Sequence, residues 1–82
     1  MAEFKYIITD EEGIHARPAG SLTKFAKELG CTAMITKGER SVDLTRLMAV
    51  MSLGVKKGEE ITVSCENEEA LAELEKFFKE NL

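Results

Sequence analysis

The chain has no tryptophan, one proline, one histidine and two cysteines. It also has no apolar run near the roughly 18 residues that a membrane-crossing helix needs. Each shortage excludes something. One histidine and two widely spaced cysteines, Cys31 and Cys65, do not match the spacing of a zinc site, so no metal centre is expected. Two thiols without such a pattern read as reduced and buried. The first residues, Met1 to Lys5, lack the basic start and apolar stretch of a signal peptide, so the expected location is the cytoplasm. No glycine-rich phosphate loop is present, which argues against a nucleotide-hydrolysing enzyme. Ser21, Ser41, Ser52 and Ser64 have no evident triad partners, and no cofactor is expected.

What is present is a short chain of mixed polarity. Its 82 residues are expected to form one domain, residues 1–82. A domain of that size buries only a modest core, so any site should lie on the surface. The net charge of −4 conceals a segregation. Residues 14–57 carry eight lysines and arginines against three acids, for +5, while residues 1–13 carry −3 and residues 58–82 carry −6. An acidic chain is a poor general nucleic-acid binder. Its basic middle could still attract an acidic protein surface.

Phe4 to Thr9 is rich in β-branched and aromatic residues and reads as a strand, followed by the polar turn Asp10 to Gly13. Ala19, Leu22, Phe25, Ala26 and Leu29 recur at helical spacing. Pro18 is tolerated only in a helix's first turn, so this helix should begin at Ala16 and stop at Gly30. Cys31 to Lys37 and Arg40 to Leu44 read as a hairpin around Gly38-Glu39. Leu47 to Leu53 suits a brief helix ending at Gly54. Glu60 to Glu66 alternates as a half-buried strand, and Asn67 caps a last helix with the stripe Ala70, Leu71, Leu74, Phe77 and Phe78. The order β-α-β-β-α-β-α predicts a two-layer α+β sandwich, with helices on one sheet face and water on the other.

The chemistry concentrates at His15. Taken alone, a single histidine is more often structural or merely exposed. Here it immediately precedes a helix, whose first N–H groups and dipole favour an anion. Arg17, two residues on, can add charge-assisted bonds to that anion, and Gly13 and Pro18 shape the turn. Neutral imidazole is a nucleophile. These neighbours suit a ring that accepts a phosphoryl group. A second feature is the apolar segment Leu47 to Met51. Core packing is its ordinary reading, yet so short a helix cannot turn every apolar residue inward. Met48 and Met51, beside Lys24 and Lys27, would then form a docking patch with a basic rim.

The segment Gly13-Ile14-His15-Ala16-Arg17-Pro18-Ala19 closely resembles the active-site signature of the HPr family, the histidine-containing phosphocarriers of the bacterial sugar phosphotransferase system. Gly38 to Gly54, ending Val50-Met51-Ser52-Leu53-Gly54, resembles that family's second signature, and the similarity covers nearly the whole chain. The resemblance implies an open-faced β-sandwich, with a four-stranded antiparallel sheet covered on one face by three helices. It implies that His15 takes phosphate on Nδ1 from enzyme I, which draws on phosphoenolpyruvate, and passes it to IIA domains of sugar permeases. Such a chain is a phosphoryl-transfer intermediate rather than a stand-alone turnover enzyme, and a monomer. Arg17 and the backbone of Ala16 and Arg17 would stabilise the phosphorylated ring. Ala16, Gly20, Lys24, Lys27, Leu47, Met48 and Met51 would form the docking face.

Two positions depart from the family pattern. Arg46 stands where HPr proteins of Gram-positive type carry a regulatory serine, and Glu12 stands where a small polar residue is usual. These departures leave two alternatives open: an HPr-like paralogue in a specialised or regulatory phosphorelay, and a binding module that is never phosphorylated.

Overall fold

The alternation of Ile61, Val63 and Cys65 with Thr62 and Ser64 puts every second side chain on one face of a strand, and the neighbouring strands follow the same pattern. In the computed structural model, which describes residues 2–30 and 32–82, these segments pair into one sheet. The elements are β1 (Ala2–Ile7), α1 (Ala16–Leu29), β2 (Ala33–Lys37), β3 (Arg40–Asp43), α2 (Leu47–Ser52), β4 (Glu60–Cys65) and α3 (Glu68–Asn81). The sheet order is β1-β4-β2-β3, and all three pairings are antiparallel.

Register explains the core. Phe4 pairs with Val63, Val63 with Ile35, and Ile35 with Val42, so one apolar row crosses all four strands on the helix side. The next row, Lys5, Thr62, Thr36 and Ser41, faces the other way, and Thr36 and Ser41 join hydroxyls at 2.9 Å. The inner row is closed by Leu22 and Ala26 of α1, Val50 of α2, and Leu74 and Phe78 of α3, all buried. Phe78 meets Phe4 and Tyr6 edge to face, with ring centroids 5.6 and 5.7 Å apart. Among the described residues, no helix is long and apolar enough to cross a membrane.

The helix boundaries follow local chemistry. Gly30 ends α1 at φ 69°, a left-handed conformation that glycine adopts without steric cost. Asn67 caps α3 by accepting the N–H groups of Glu69 and Ala70 at 2.9 and 3.0 Å, with Glu68 and Glu69 in the first turn.

Limits differ from the sequence expectation in all four strands. β1 begins and ends two residues early. Ile8 still donates to Glu59 O, but the N–H groups of Thr9 and Asp10 both turn to Leu82 O and leave the ladder. β2, expected from Cys31, begins at Ala33, and the Thr32 N–H goes to Glu66 Oε1 at 3.2 Å rather than into the ladder. β3 stops at Asp43: the Leu44 N–H still donates to Ala33 O, its register partner on β2, but the Thr45 N–H turns back to Asp43 Oδ1 at 2.8 Å. β4 stops at Cys65, one residue before the exposed Glu66. Cys65 is buried, as expected, and accepts the Asn67 N–H on its sulfur at 3.5 Å. The same expectation for Cys31 lies outside the described residues.

Candidate functional site

His15 is the N-cap of α1 and sits at the end of a tightly built turn. The Gly13 N–H donates to Asp10 O at 3.0 Å, and the Glu12 N–H donates to Asp10 Oδ1 at 2.9 Å. Gly13 has φ 70°, and its α-carbon lies so close to the 55–56 backbone that a Cβ would fall 2.1 Å from Val55 O. The next N–H, that of Ile14, donates to the same Val55 oxygen at 3.0 Å, and the Ile14 side chain is buried. The chain is thus fastened on both sides immediately before His15.

The His15 backbone is extended, with φ −94° and ψ −174°, and its carbonyl accepts the Ala19 N–H at 2.9 Å. Its side chain does not cap the helix. The ring is therefore half-exposed and uncommitted to the backbone. Ahead of it lies the first turn of α1, whose N–H groups have no intrahelical partner, and which holds no acid. Pro18 at the third helical position contributes no N–H to be left over. The Ala16 and Arg17 amides are therefore left without an intrahelical partner, as at the start of any helix.

Two shallow depressions flank the ring. One is lined by Asp10, Glu11, Glu12, His15, Ala16 and Arg17. The other is lined by Asp10, His15, Arg17, Pro18, Ser21, Phe77 and Asn81. Asp10, His15 and Arg17 line both. The carboxylates approach one edge of the imidazole, with Glu12 Oε2 3.5 Å and Asp10 Oδ1 3.9 Å from Nε2. The contribution of Asp10, Phe77 and Asn81 was not visible in the sequence. For Asp10 the signal was local but ambiguous, an acid in an acidic turn. For the α3 residues there was none, since only tertiary packing brings the end of α3 to the start of α1.

The expected docking residues separate by exposure. Ala16, Lys24 and Lys27 are exposed and Gly20 is half-buried, at spacings that keep them on one side of α1. α2 packs against α1 and β3. On α2, Met48 is 76% exposed and Leu47 39%, whereas Met51 is half-buried and packs against the core. Residues i and i+3 differ by about 60° around a helix, enough to split two methionines between solvent and core. Gly20 has no atom within 4 Å of where a Cβ would stand, so the chain's own packing does not call for glycine there.

α2 is held from its C-terminal end. The Lys37 Nζ donates to Leu53 O and Gly54 O at 3.2 and 3.0 Å and pairs with Glu59 at 3.1 Å. Arg40 donates to Ser52 O at 3.0 Å and to Ser52 Oγ at 3.2 Å. Cations are favourable at that end of a helix dipole. Hydrogen bonds from the Lys56 N–H and from Lys37 hold the Glu59 carboxyl below its usual pKa.

The opposite end of α2 starts at Arg46, which is exposed, and whose side chain makes no cap. Just before it, Asp43 accepts both the Thr45 hydroxyl at 2.6 Å and the Thr45 N–H at 2.8 Å. Those two bonds, in that order, hold the Asp43 carboxyl below its ordinary pKa, with a smaller contribution from Arg46. Ser52 donates its hydroxyl to Ala49 O at 2.6 Å.

Known proteins share this fold. The family described as PTS HPr component phosphorylation site matches residues 2–80. Over 70 residues the chain is 40% identical to phosphocarrier protein HPr of Mycoplasma capricolum, an overlap of 85% of this chain and 79% of that one. A mycoplasma histidine-containing phosphocarrier protein has the same fold at a TM-score of 0.90 and 33% identity, with 96% and 93% of the two chains covered. Phosphocarrier protein HPr from Bacillus anthracis matches at a TM-score of 0.87 and 28% identity, covering 94% and 95%. With the family signature matching almost end to end and the fold in agreement, this chain belongs to the HPr family of phosphocarrier proteins.

Proposed function

We propose that His15 accepts a phosphoryl group from enzyme I, charged by phosphoenolpyruvate, and delivers it to IIA domains of sugar permeases in the cytoplasm. The observation that carries this reading is the placement of His15. A half-exposed ring, unused by the helix it precedes, stands beside Arg17 and the open amides of the first turn of α1. A nitrogen lone pair attacks phosphorus, and the phosphoryl oxygens are met by the Ala16 and Arg17 N–H groups and the Arg17 guanidinium. These groups are preorganised before the phosphoryl group arrives, which is how charge in a transferring phosphoryl is best stabilised. By the family resemblance, the attacking atom is Nδ1. One protomer carries both the ring and the docking face, so a monomer suffices.

The docking face supports the same reading. Ala16, Gly20, Lys24 and Lys27 share one side of α1, which packs against α2, where Leu47 and Met48 are exposed and Met51 is half-buried. A glycine in mid-helix costs about 0.5–1 kcal/mol relative to alanine, and nothing inside the chain requires it at position 20. Close approach of a partner's backbone accounts for it. Met48→Glu is expected to weaken enzyme I binding by more than ~1 kcal/mol while the fold persists, because it would place a charge in an apolar interface centre. Calorimetric titration checks this, and an unchanged Kd would remove Met48 from the interface.

Regulation by a serine kinase is not expected. Arg46 has no hydroxyl. The Thr45 hydroxyl donates to Asp43 and the Ser52 hydroxyl to Ala49 O, so both candidate neighbours are engaged. Wild type treated with HPr kinase and ATP is expected to stay unmodified, while Arg46→Ser is labelled. Stoichiometric phosphate on Thr45 or Ser52 of the wild type, mapped by mass spectrometry, would restore a regulatory branch. The missing serine, together with Glu12, also favours a second reading, a carrier dedicated to a specialised phosphorelay. Reconstitution with enzyme I, phosphoenolpyruvate and a general sugar-system IIA domain tests the main proposal. Label should reach the IIA domain only when this protein is present, and charging of His15 without onward transfer would favour the specialised relay.

A further inference from the structure

We infer that Glu12, assisted by Asp10, is a positioning residue for His15: its carboxylate keeps a proton on Nε2 throughout the transfer cycle, leaving the opposite ring nitrogen to carry the phosphoryl group. The inference rests on the phosphocarrier reading above. Glu12 Oε2 lies 3.5 Å and Asp10 Oδ1 3.9 Å from Nε2, so two acids face the same edge of the ring. Neither is there by accident of a loose loop. Asp10 Oδ1 also accepts the Glu12 N–H at 2.9 Å, and Asp10 O accepts the Gly13 N–H at 3.0 Å, so the turn that presents the carboxylates is the turn that places His15.

An ionised carboxylate can only accept hydrogen bonds. A neutral imidazole facing two of them is favoured with its hydrogen on Nε2 and its lone pair on Nδ1. In loading, that lone pair forms the N–P bond. The bond between phosphorus and the donor atom breaks, and its electron pair stays with the donor. The ring gains one positive charge, shared with the Nε2–H group beside the carboxylates. In delivery the N–P bond breaks and its electron pair returns to Nδ1, while phosphorus bonds to the acceptor. Because the Nε2 proton never left, the ring departs as neutral imidazole, a good leaving group. Glu12 thus holds the proton that lets the ring leave as neutral imidazole, so the phosphorylated state is shorter-lived with the carboxylate than without it. Arg17 lines both depressions and supplies the opposing charge.

The Glu12 side chain is 75% exposed, so water screens these effects and they should be modest. Glu12→Gln removes the charge but keeps an acceptor, and Glu12→Ala removes both. The test uses protein charged by enzyme I and phosphoenolpyruvate and then freed of enzyme I, so that docking cannot contribute. The phosphohistidine half-life should lengthen about two- to fivefold in both variants, the scale of one exposed charge contact. In parallel, nitrogen-15 NMR of the uncharged protein should show Nε2–H as the neutral tautomer in wild type and in Glu12→Gln, with Nδ1–H emerging in Glu12→Ala. A purely structural role for Glu12 would move neither the tautomer nor the half-life. Equal half-lives in wild type and Glu12→Gln, or an Nδ1–H tautomer in wild type, would overturn the inference. A folded wild type that cannot be charged at all would instead refute the phosphocarrier reading, and the tautomer measurement would still judge Glu12.

Discussion

Gly13→Ala is expected to destabilise the domain by roughly 2–4 kcal/mol and to slow phosphoryl loading beyond what the lost stability explains. The residue has φ 70°, where any side chain strains the backbone. The added methyl would also sit 2.1 Å from Val55 O and 2.7 Å from the Lys56 α-carbon. Both neighbours are backbone atoms, so no rotamer change relieves the contact. The loop 55–56 and the turn before His15 must move apart, weakening the Ile14 N–H bond to Val55 O, which is now 3.0 Å. Thermal unfolding measures the first effect. In a domain of this size each kcal/mol moves Tm by about 4–8 °C, so a drop of at least ~8 °C is expected. Loading kinetics below the new Tm measure the second effect. A variant with wild-type Tm would show that the close approach of these two segments is not a constraint.

Phe78→Ala is the other large effect, on stability rather than on the site directly. Phe78 is fully buried and joins α3 to β1 through edge-to-face contacts with Phe4 and Tyr6. Truncating a buried phenylalanine costs about 3–5 kcal/mol, and an aromatic pair is worth a further ~0.5–1.5 kcal/mol. Small domains have total stabilities of only about 5–15 kcal/mol, so the variant should be largely unfolded at moderate temperature. The site would be lost with the fold, because Leu82 at the end of α3 receives three donors from the start of the His15 turn. These are the Thr9 N–H at 2.6 Å, the Thr9 hydroxyl at 2.9 Å and the Asp10 N–H at 2.9 Å. Denaturant unfolding checks the size of the change. A loss below ~2 kcal/mol would mean that the cavity collapses around Leu74 and Tyr6.

The element order was legible in the sequence because each helix and strand carries its own punctuation. Pro18 could occupy only the first turn of α1, Gly30 could end it at φ 69°, and Asn67 could cap α3. The end of β1 was less legible. Ile8 and Thr9 are good strand residues, and what removes Thr9 from the ladder is an oxygen 73 positions away. The same division holds at the site. His15, Ala16 and Arg17 are contiguous, so the sequence alone placed the ring against the helix start. The Asp10 and Glu12 contacts on one ring edge depend on how Gly13 folds the turn, and sequence spacing does not reveal which nitrogen they face. The clamp on α2 by Lys37 and Arg40 was invisible because both residues belong to a different hairpin. Met48 and Met51 looked equivalent by spacing, and only the tilt of α2 against the core distinguishes them.

The central claim is that the His15 ring itself carries the phosphoryl group. Intact-protein mass spectrometry of wild type and His15→Ala, each incubated with enzyme I and phosphoenolpyruvate, tests it directly. Wild type should gain the mass of one phosphoryl group, stable in base and lost in acid, and His15→Ala should gain nothing. Equal labelling of a folded His15→Ala protein, or a folded wild type that never gains the group, would contradict the account.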